Sequence, residues 1–208
     1  TTMGFFLFAW MPVLALGYFI ADRTAAQESI AVFNAGARLA QFVPLISTIQ
    51  IAYLSQRFAA LHHQGDVAAV NRLSQRSTVY ALLWAVPLSV VMLLAPDAVL
   101  AVFGDYSAAA GTLRVLVAAA LLVAAAGPVN GLMLTCGHER AAGRFTLGLI
   151  VASAVALPLL ARWGSTGVAW GSAATSVVYA VACYVTLWRD GIVASAPLRR
   201  SGRRSARA

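Results

Sequence analysis

Charged residues are scarce in this sequence, and lysine is absent altogether. Only 11% of the 208 residues are charged, and all 15 basic residues are arginines, beside seven acidic ones. An ordinary soluble domain carries roughly 25% charged residues, and a core of this size cannot hide so much apolar surface from water. Lipid is therefore the expected solvent, and a soluble globular fold is disfavoured.

Cysteine and histidine are too few and too scattered for a metal or redox centre. Cys136 and Cys183 lie 47 residues apart in apolar runs, and no CxxC or Cys/His spacing occurs. His62 and His63 are adjacent, so on a helix they point in different directions. His138 is expected to be an ordinary loop residue. The sequence thus predicts no metal site, no disulfide and no cofactor.

Catalytic motifs are lacking as well. The sequence contains no paired carboxylate, GxSxG, phosphate loop or HExxH, so an enzyme is not expected. All seven acids are predicted in loops or at helix ends: Asp22, Glu28, Asp66, Asp97, Asp105, Glu139 and Asp190. The spans therefore hold no carboxylate that could relay a proton or a sodium ion.

Long uncharged runs dominate what is present. Six runs without Asp, Glu, Lys or Arg cover residues 1–21, 39–56, 77–96, 115–138, 145–161 and 163–188. A helical crossing needs roughly 17–25 residues. The pattern predicts an all-α, polytopic transmembrane bundle of about six spans over residues 1–190, then a basic tail at 191–208. Five prolines interrupt the runs, which membrane helices tolerate: Pro12, Pro44, Pro87, Pro128 and Pro158.

The arginines divide unequally between the two sides of such a bundle. Six crossings place eleven arginines on one side and three on the other, and six of the eleven lie between Arg189 and Arg207. Cytoplasmic loops carry the excess of basic residues. Both ends of the chain are therefore predicted in the cytoplasm, with the tail facing water or lipid headgroups and not nucleic acid.

Two short patterns predict local structure. In residues 57–76, Gly65 and Asp66 mark a break and a helix cap, and the apolar residues that follow indicate a short amphipathic helix at the membrane surface. In the last span, Gly167 and Gly171 are four residues apart, a spacing that lets helices approach closely.

Arg38 is the one charge expected inside a span, since the second span is predicted to begin near Ser29. Asn34, Gln41 and Thr48 would share its helical face. Such a polar stripe suits a cavity that binds an anion such as a phosphate; the alternative is an arginine that reaches the headgroups or pairs with a loop acid. Asn130 is a further cavity candidate, although its amide could instead bond the backbone freed at the preceding proline.

Four segments in order resemble the C-terminal lobe of polysaccharide flippases of the Wzx type, relatives of multidrug and toxin extrusion transporters. They are ALGYFIADRTAAQESIAVFNAGARLAQ, LAVFGDYSAAAGTLRVL, GPVNGLMLTCGHERAAGR and ARWGSTGVAWGSAATS, spread over about residues 10–190. The similarity lies in their order and spacing across the six spans.

The resemblance implies a transporter that moves undecaprenyl-diphosphate-linked oligosaccharide across the bacterial inner membrane for cell-surface polysaccharide biosynthesis. It implies a preceding six-helix lobe as partner, a fragment or truncated form as the chain at hand, and Arg38 facing the lipid-linked glycan. Two alternatives stay open. An ion-coupled multidrug exporter would need an intramembrane carboxylate, and an inactive or scaffold membrane fragment would tolerate replacement of Arg38, Asn34 and Gln41.

Overall fold

The computed structural model describes residues 2–19, 23–104, 106–190 and 192, with side chains from residue 10 onward except residue 19. These residues form helices and connecting turns without a strand, so the all-α prediction is confirmed. The helices are α1 (Thr2–Phe19), α2 (Arg23–Ala40), α3 (Leu45–His63), α4 (Val67–Leu94), α5 (Pro96–Ala101), α6 (Ala110–Ala126), α7 (Val129–Thr135), α8 (Glu139–Leu160) and α9 (Gly164–Arg189), with 3-10 turns at Ser107–Ala109 and Ala161–Trp163. The predicted basic tail lies outside the described residues, apart from residue 192.

Three stretches of the described chain are long and apolar enough to cross a membrane: Val67–Leu94, Ser107–Ala126 and Glu139–Arg189. The pair α2 and α3 passes the same test together, bent by 54°. The described part of the chain therefore has three to four candidate spans by length and composition, which fits a membrane protein. Six crossings remain a prediction.

The stretch Glu139–Arg189 folds back on itself. Gly164 has φ 68° and ends the 3-10 turn that follows α8. Beyond it, a Cβ on Gly171 would lie 2.8 Å from Leu157 Cδ2, and one on Gly167 would overlap the carbonyl oxygen of Leu160. The helices α8 and α9 thus pack side by side in opposite directions, and the two glycines stand where α9 meets the end of α8.

The segment 57–76 differs in part from its prediction. Gly65 has φ 71°, and the Asp66 carboxylate accepts a hydrogen bond from the Ala69 amide at 2.9 Å, so the break and the cap are confirmed. The separate short helix is wrong, since α4 continues without interruption from Val67 to Leu94. Nothing in the chain ends a helix between the amphipathic part and the apolar part, and buried Val70 secures the first turns.

The centre of the bundle is formed by α6 and α9, which pack on each other and on most of the other helices. Thr112 donates a hydrogen bond to Ser165 at 3.3 Å across their interface. Gly36 of α2 approaches the same place, where a Cβ would lie 3.3 Å from the Leu113 amide nitrogen. This packing holds α2 against α6 and so determines where the chain can continue into α3.

Candidate functional site

Two breaks in the helices lie close to one another in space. The first separates α2 from α3 at residues 41–44, where Pro44 lacks an amide donor. The carbonyl of Phe42 accepts a hydrogen bond from Trp84 of α4 at 3.3 Å. The same carbonyl also accepts from the Leu45 amide at 3.4 Å within the turn, so α4 adds a second hydrogen bond to the backbone at the break.

The second break separates α6 from α7 at Gly127 and Pro128. Gly127 has φ 79° and ψ −160°, a conformation that is essentially restricted to glycine. Past the break, Gly131 brings α7 close to α3, since a Cβ there would lie 2.7 Å from Ile51 Cγ2. The two broken segments therefore contact each other directly.

Both breaks open onto one partly open cavity of about 260 Å³, which is lined by residues of the breaks and of α3, α6, α7, α8 and α9. Its wall is mostly apolar, with hydroxyl and amide groups in between. The lining residues are Pro44, Ser47, Thr48, Ile51, Val123, Ala124, Gly127, Val129, Asn130, Thr146, Leu149, Ser176, Tyr179 and Ala180. None of them carries a full charge at neutral pH.

A hydrogen bond across the cavity joins α9 to α7. The Tyr179 hydroxyl donates to Asn130 Oδ1 at 2.9 Å. Asn130 therefore bonds a side chain of another helix, and the structure records no bond from its amide to the backbone freed by the preceding proline. Ser47 Oγ is buried and has no hydrogen-bond partner among the described residues.

Only two of the five predicted cavity residues line the cavity. Thr48 and Asn130 line the cavity, whereas Asn34, Arg38 and Gln41 do not. The expectation of one continuous helical face from Asn34 to Thr48 is wrong, because α2 ends at Ala40 and the chain turns before α3. The side chain of Arg38 is exposed in the last turn of α2 and forms no ion pair with any described residue.

Four polar lining residues were missed from the sequence: Ser47, Thr146, Ser176 and Tyr179. Three are serine or threonine, which occur widely in membrane helices and give no signal by themselves. Tyr179 had an indirect signal, because an asparagine within an apolar run needs a hydrogen-bond partner. The sequence could not say which helix would supply it.

A second polar contact between α9 and the α7–α8 turn lies at the end of the bundle. His138 Nε2 is 2.6 Å from Asp190 Oδ2, and its Nδ1 is 3.0 Å from the carbonyl oxygen of Cys136. His138 is therefore more than a solvated loop residue. No cluster of three or more metal-ligating side chains occurs in the described parts of the chain, and Cys136 and Cys183 are both free and buried.

No protein-family model, curated protein or solved structure matches this chain.

Proposed function

We propose that this chain forms part of a membrane transporter, with the cavity between α3, α7 and α9 as a substrate-contacting site. One observation carries the proposal: two broken helices meet at a single cavity in an otherwise apolar helical chain. Secondary transporters commonly build their substrate sites from discontinuous helices, because irregular backbone is tolerated within a membrane only where it is covered by protein or lines a cavity.

For the substrate we propose an undecaprenyl-diphosphate-linked oligosaccharide, moved from the cytoplasmic to the outer leaflet of a bacterial inner membrane. In this proposal the chain is the second of two six-span lobes, with both ends in the cytoplasm. The order of the four resembling segments and the unequal distribution of arginines support it. Arg38 would meet the diphosphate outside the described cavity, on the exposed side of α2, where its guanidinium is unpaired among the described residues.

The transport proposal is tested by closing the cavity. Thr48→Trp would place a large ring at the cavity, whereas Ile49→Trp is a matched control, since Ile49 is 55% exposed on the neighbouring position and does not line the cavity. Each variant is expressed with the first lobe in cells that lack their own flippase, and surface polysaccharide is measured. We expect Thr48→Trp to abolish the polymer and Ile49→Trp to retain it. Full polymer in both variants, at normal protein abundance, would refute a transport role for the cavity.

The role of Arg38 needs a separate test in the same cells. Arg38→Ala is expected to reduce surface polysaccharide strongly, because an anionic headgroup would lose its cation. Arg23→Ala is the matched control, since Arg23 is an exposed arginine at the other end of the same helix. Equal polymer levels in the two variants would leave Arg38 without a function in substrate binding.

A further inference from the structure

The hydroxyl groups of the cavity are predominantly hydrogen-bond acceptors toward a ligand. Thr48 donates its proton to the carbonyl of Pro44 at 3.2 Å, Thr146 to that of Ala142 at 2.9 Å, and Ser176 to that of Ser172 at 2.8 Å. A hydroxyl has one proton and two lone pairs. Once its proton is engaged in its own helix, it can only accept from a bound molecule.

Tyr179 adds a fourth acceptor of the same kind, since its proton is engaged by Asn130 Oδ1. Two lining groups can still donate: the Asn130 amide nitrogen, which has no recorded partner in the described chain, and the unpartnered Ser47 hydroxyl. The cavity thus offers four acceptors and two side chains able to donate. A ligand with several hydroxyl groups matches this arrangement, because each hydroxyl can donate to one wall and accept from another.

The absence of charge among the lining residues disfavours an anionic occupant. A phosphate would lose its hydration without gaining a cation among the lining residues, which is strongly unfavourable in apolar surroundings. The volume of the cavity also favours a small ligand. Sites for drug-sized ligands measure roughly 300–1,000 Å³, so about 260 Å³ suits a single ring. The apolar side chains of Ile51, Val123 and Leu149 would face the C–H groups of such a ring.

From these features we infer that the cavity binds one uncharged, hydroxyl-bearing ring, a neutral sugar unit, and rejects the diphosphate. The inference rests on the proposed transport function for its biological meaning. It separates two recognition tasks within that function: the neutral ring enters between the helix breaks, and the anionic group stays outside, on the side of α2 that carries Arg38.

Binding can be measured by thiol protection with the chain in lipid nanodiscs. Thr48→Cys places a reactive thiol at the cavity, and Ile49→Cys places one on the adjacent exposed position. The native cysteines are buried and provide the background rate. We expect methyl glucoside to slow maleimide labelling of Thr48→Cys at least twofold, without changing that of Ile49→Cys. Methyl phosphate and ethylammonium are expected to protect neither thiol.

The contribution of the acceptors is tested by removing one. Thr146→Val in the Thr48→Cys background should weaken the apparent affinity for methyl glucoside about two- to tenfold, the equivalent of one hydrogen bond. Thr175→Val is the matched control, because Thr175 also bonds its own helix at 3.0 Å but does not line the cavity. Unchanged background reactivity of the native thiols confirms that each variant is folded.

Each result has a defined meaning. Protection by methyl phosphate would show an anion site, protection by ethylammonium would show a cation site, and no protection by methyl glucoside would show no sugar site; any of the three overturns the inference. This assay is independent of polysaccharide export. If Thr48→Trp abolishes export while methyl glucoside gives no protection, the transport proposal stands and the sugar site fails. If methyl glucoside protects the thiol while Thr48→Trp exports normally, the sugar site stands and the transport proposal fails.

Discussion

The break between α6 and α7 can be tested by adding one methyl group. Gly127→Ala places a Cβ at a backbone conformation of φ 79° and ψ −160°, which costs about 1–3 kcal/mol in a residue other than glycine. The new Cβ would also overlap the hydroxyl oxygen of Thr78 on α4. Displacing a packed neighbour costs typically 1–3 kcal/mol. The two effects together should lower the free energy of unfolding by about 2–6 kcal/mol.

A double-mutant cycle separates the two effects. Thr78→Ala removes the overlapping oxygen and leaves the backbone conformation unchanged, so Gly127→Ala should cost about 1–3 kcal/mol less in the Thr78→Ala background than in the native chain. Thr78→Ala alone loses the hydrogen bond to the Ser74 carbonyl, at 3.0 Å, and the contacts of the Cγ2 methyl group, and its own cost is measured as the third corner of the cycle. Gly148→Ala in α8 is the control, since nothing lies within 4 Å of its added Cβ, and alanine favours a helix over glycine by about 1 kcal/mol.

The assay uses the two buried thiols, Cys136 and Cys183, as reporters. Unfolding of the chain in detergent exposes them to a thiol-reactive fluorophore, and the transition is followed against denaturant. We expect Gly127→Ala to unfold first and Gly148→Ala at or beyond the native midpoint. If Gly127→Ala were as stable as the native chain, the strained break would be refuted. If Thr78→Ala recovered nothing, the steric part of the reasoning would be wrong.

Three further predictions follow from individual contacts and can be tested with the same thiol assay. Tyr179→Phe removes the hydrogen bond to Asn130 and should lower the free energy of unfolding by about 0.5–1.5 kcal/mol; no change would mean that the bond contributes nothing. Gly167→Ala should destabilise more than Gly171→Ala, because the added methyl meets a backbone carbonyl at the first position and flexible leucine side chains at the second; the opposite order would contradict this packing. Asp66→Ala removes the helix cap of α4 and should lower the free energy of unfolding by about 1 kcal/mol. Asp66→Asn should retain most of this stability, because its amide oxygen can also accept the hydrogen bond; equal losses in both variants would contradict the cap.

The prolines show that a residue type alone does not determine where a helix ends. Each of the five prolines that interrupt the apolar runs could in principle have ended a helix. Pro12, Pro87 and Pro158 lie inside continuous helices, whereas Pro44 and Pro128 lie at breaks. Pro128 follows a glycine in a conformation that other residues rarely adopt. Pro44 follows a turn whose Phe42 carbonyl accepts hydrogen bonds from the Leu45 amide and from Trp84 of α4. The difference arises from neighbours in space as well as in sequence.

The residues of the candidate site were also predicted only in part from the sequence. Thr48 is predicted from the sequence only as part of the helical face of Arg38, and Asn130 as a polar residue within an apolar run; both line the cavity. Helical periodicity places Arg38 and Thr48 on one face only while a single helix continues through both. Because α2 ends at Ala40, the two side chains lie on different helices.

The sequence by itself determined the helical class, the presence of long apolar helices, and the break and cap at Gly65 and Asp66. These features follow from the composition and from the conformational limits of single residues, which act over one helical turn. Only the tertiary structure decided that the two helix breaks meet at one cavity, and that Tyr179 bonds Asn130 across 49 residues of chain. Packing between distant helices creates that cavity, and no pattern of neighbouring residues encodes which helices will meet.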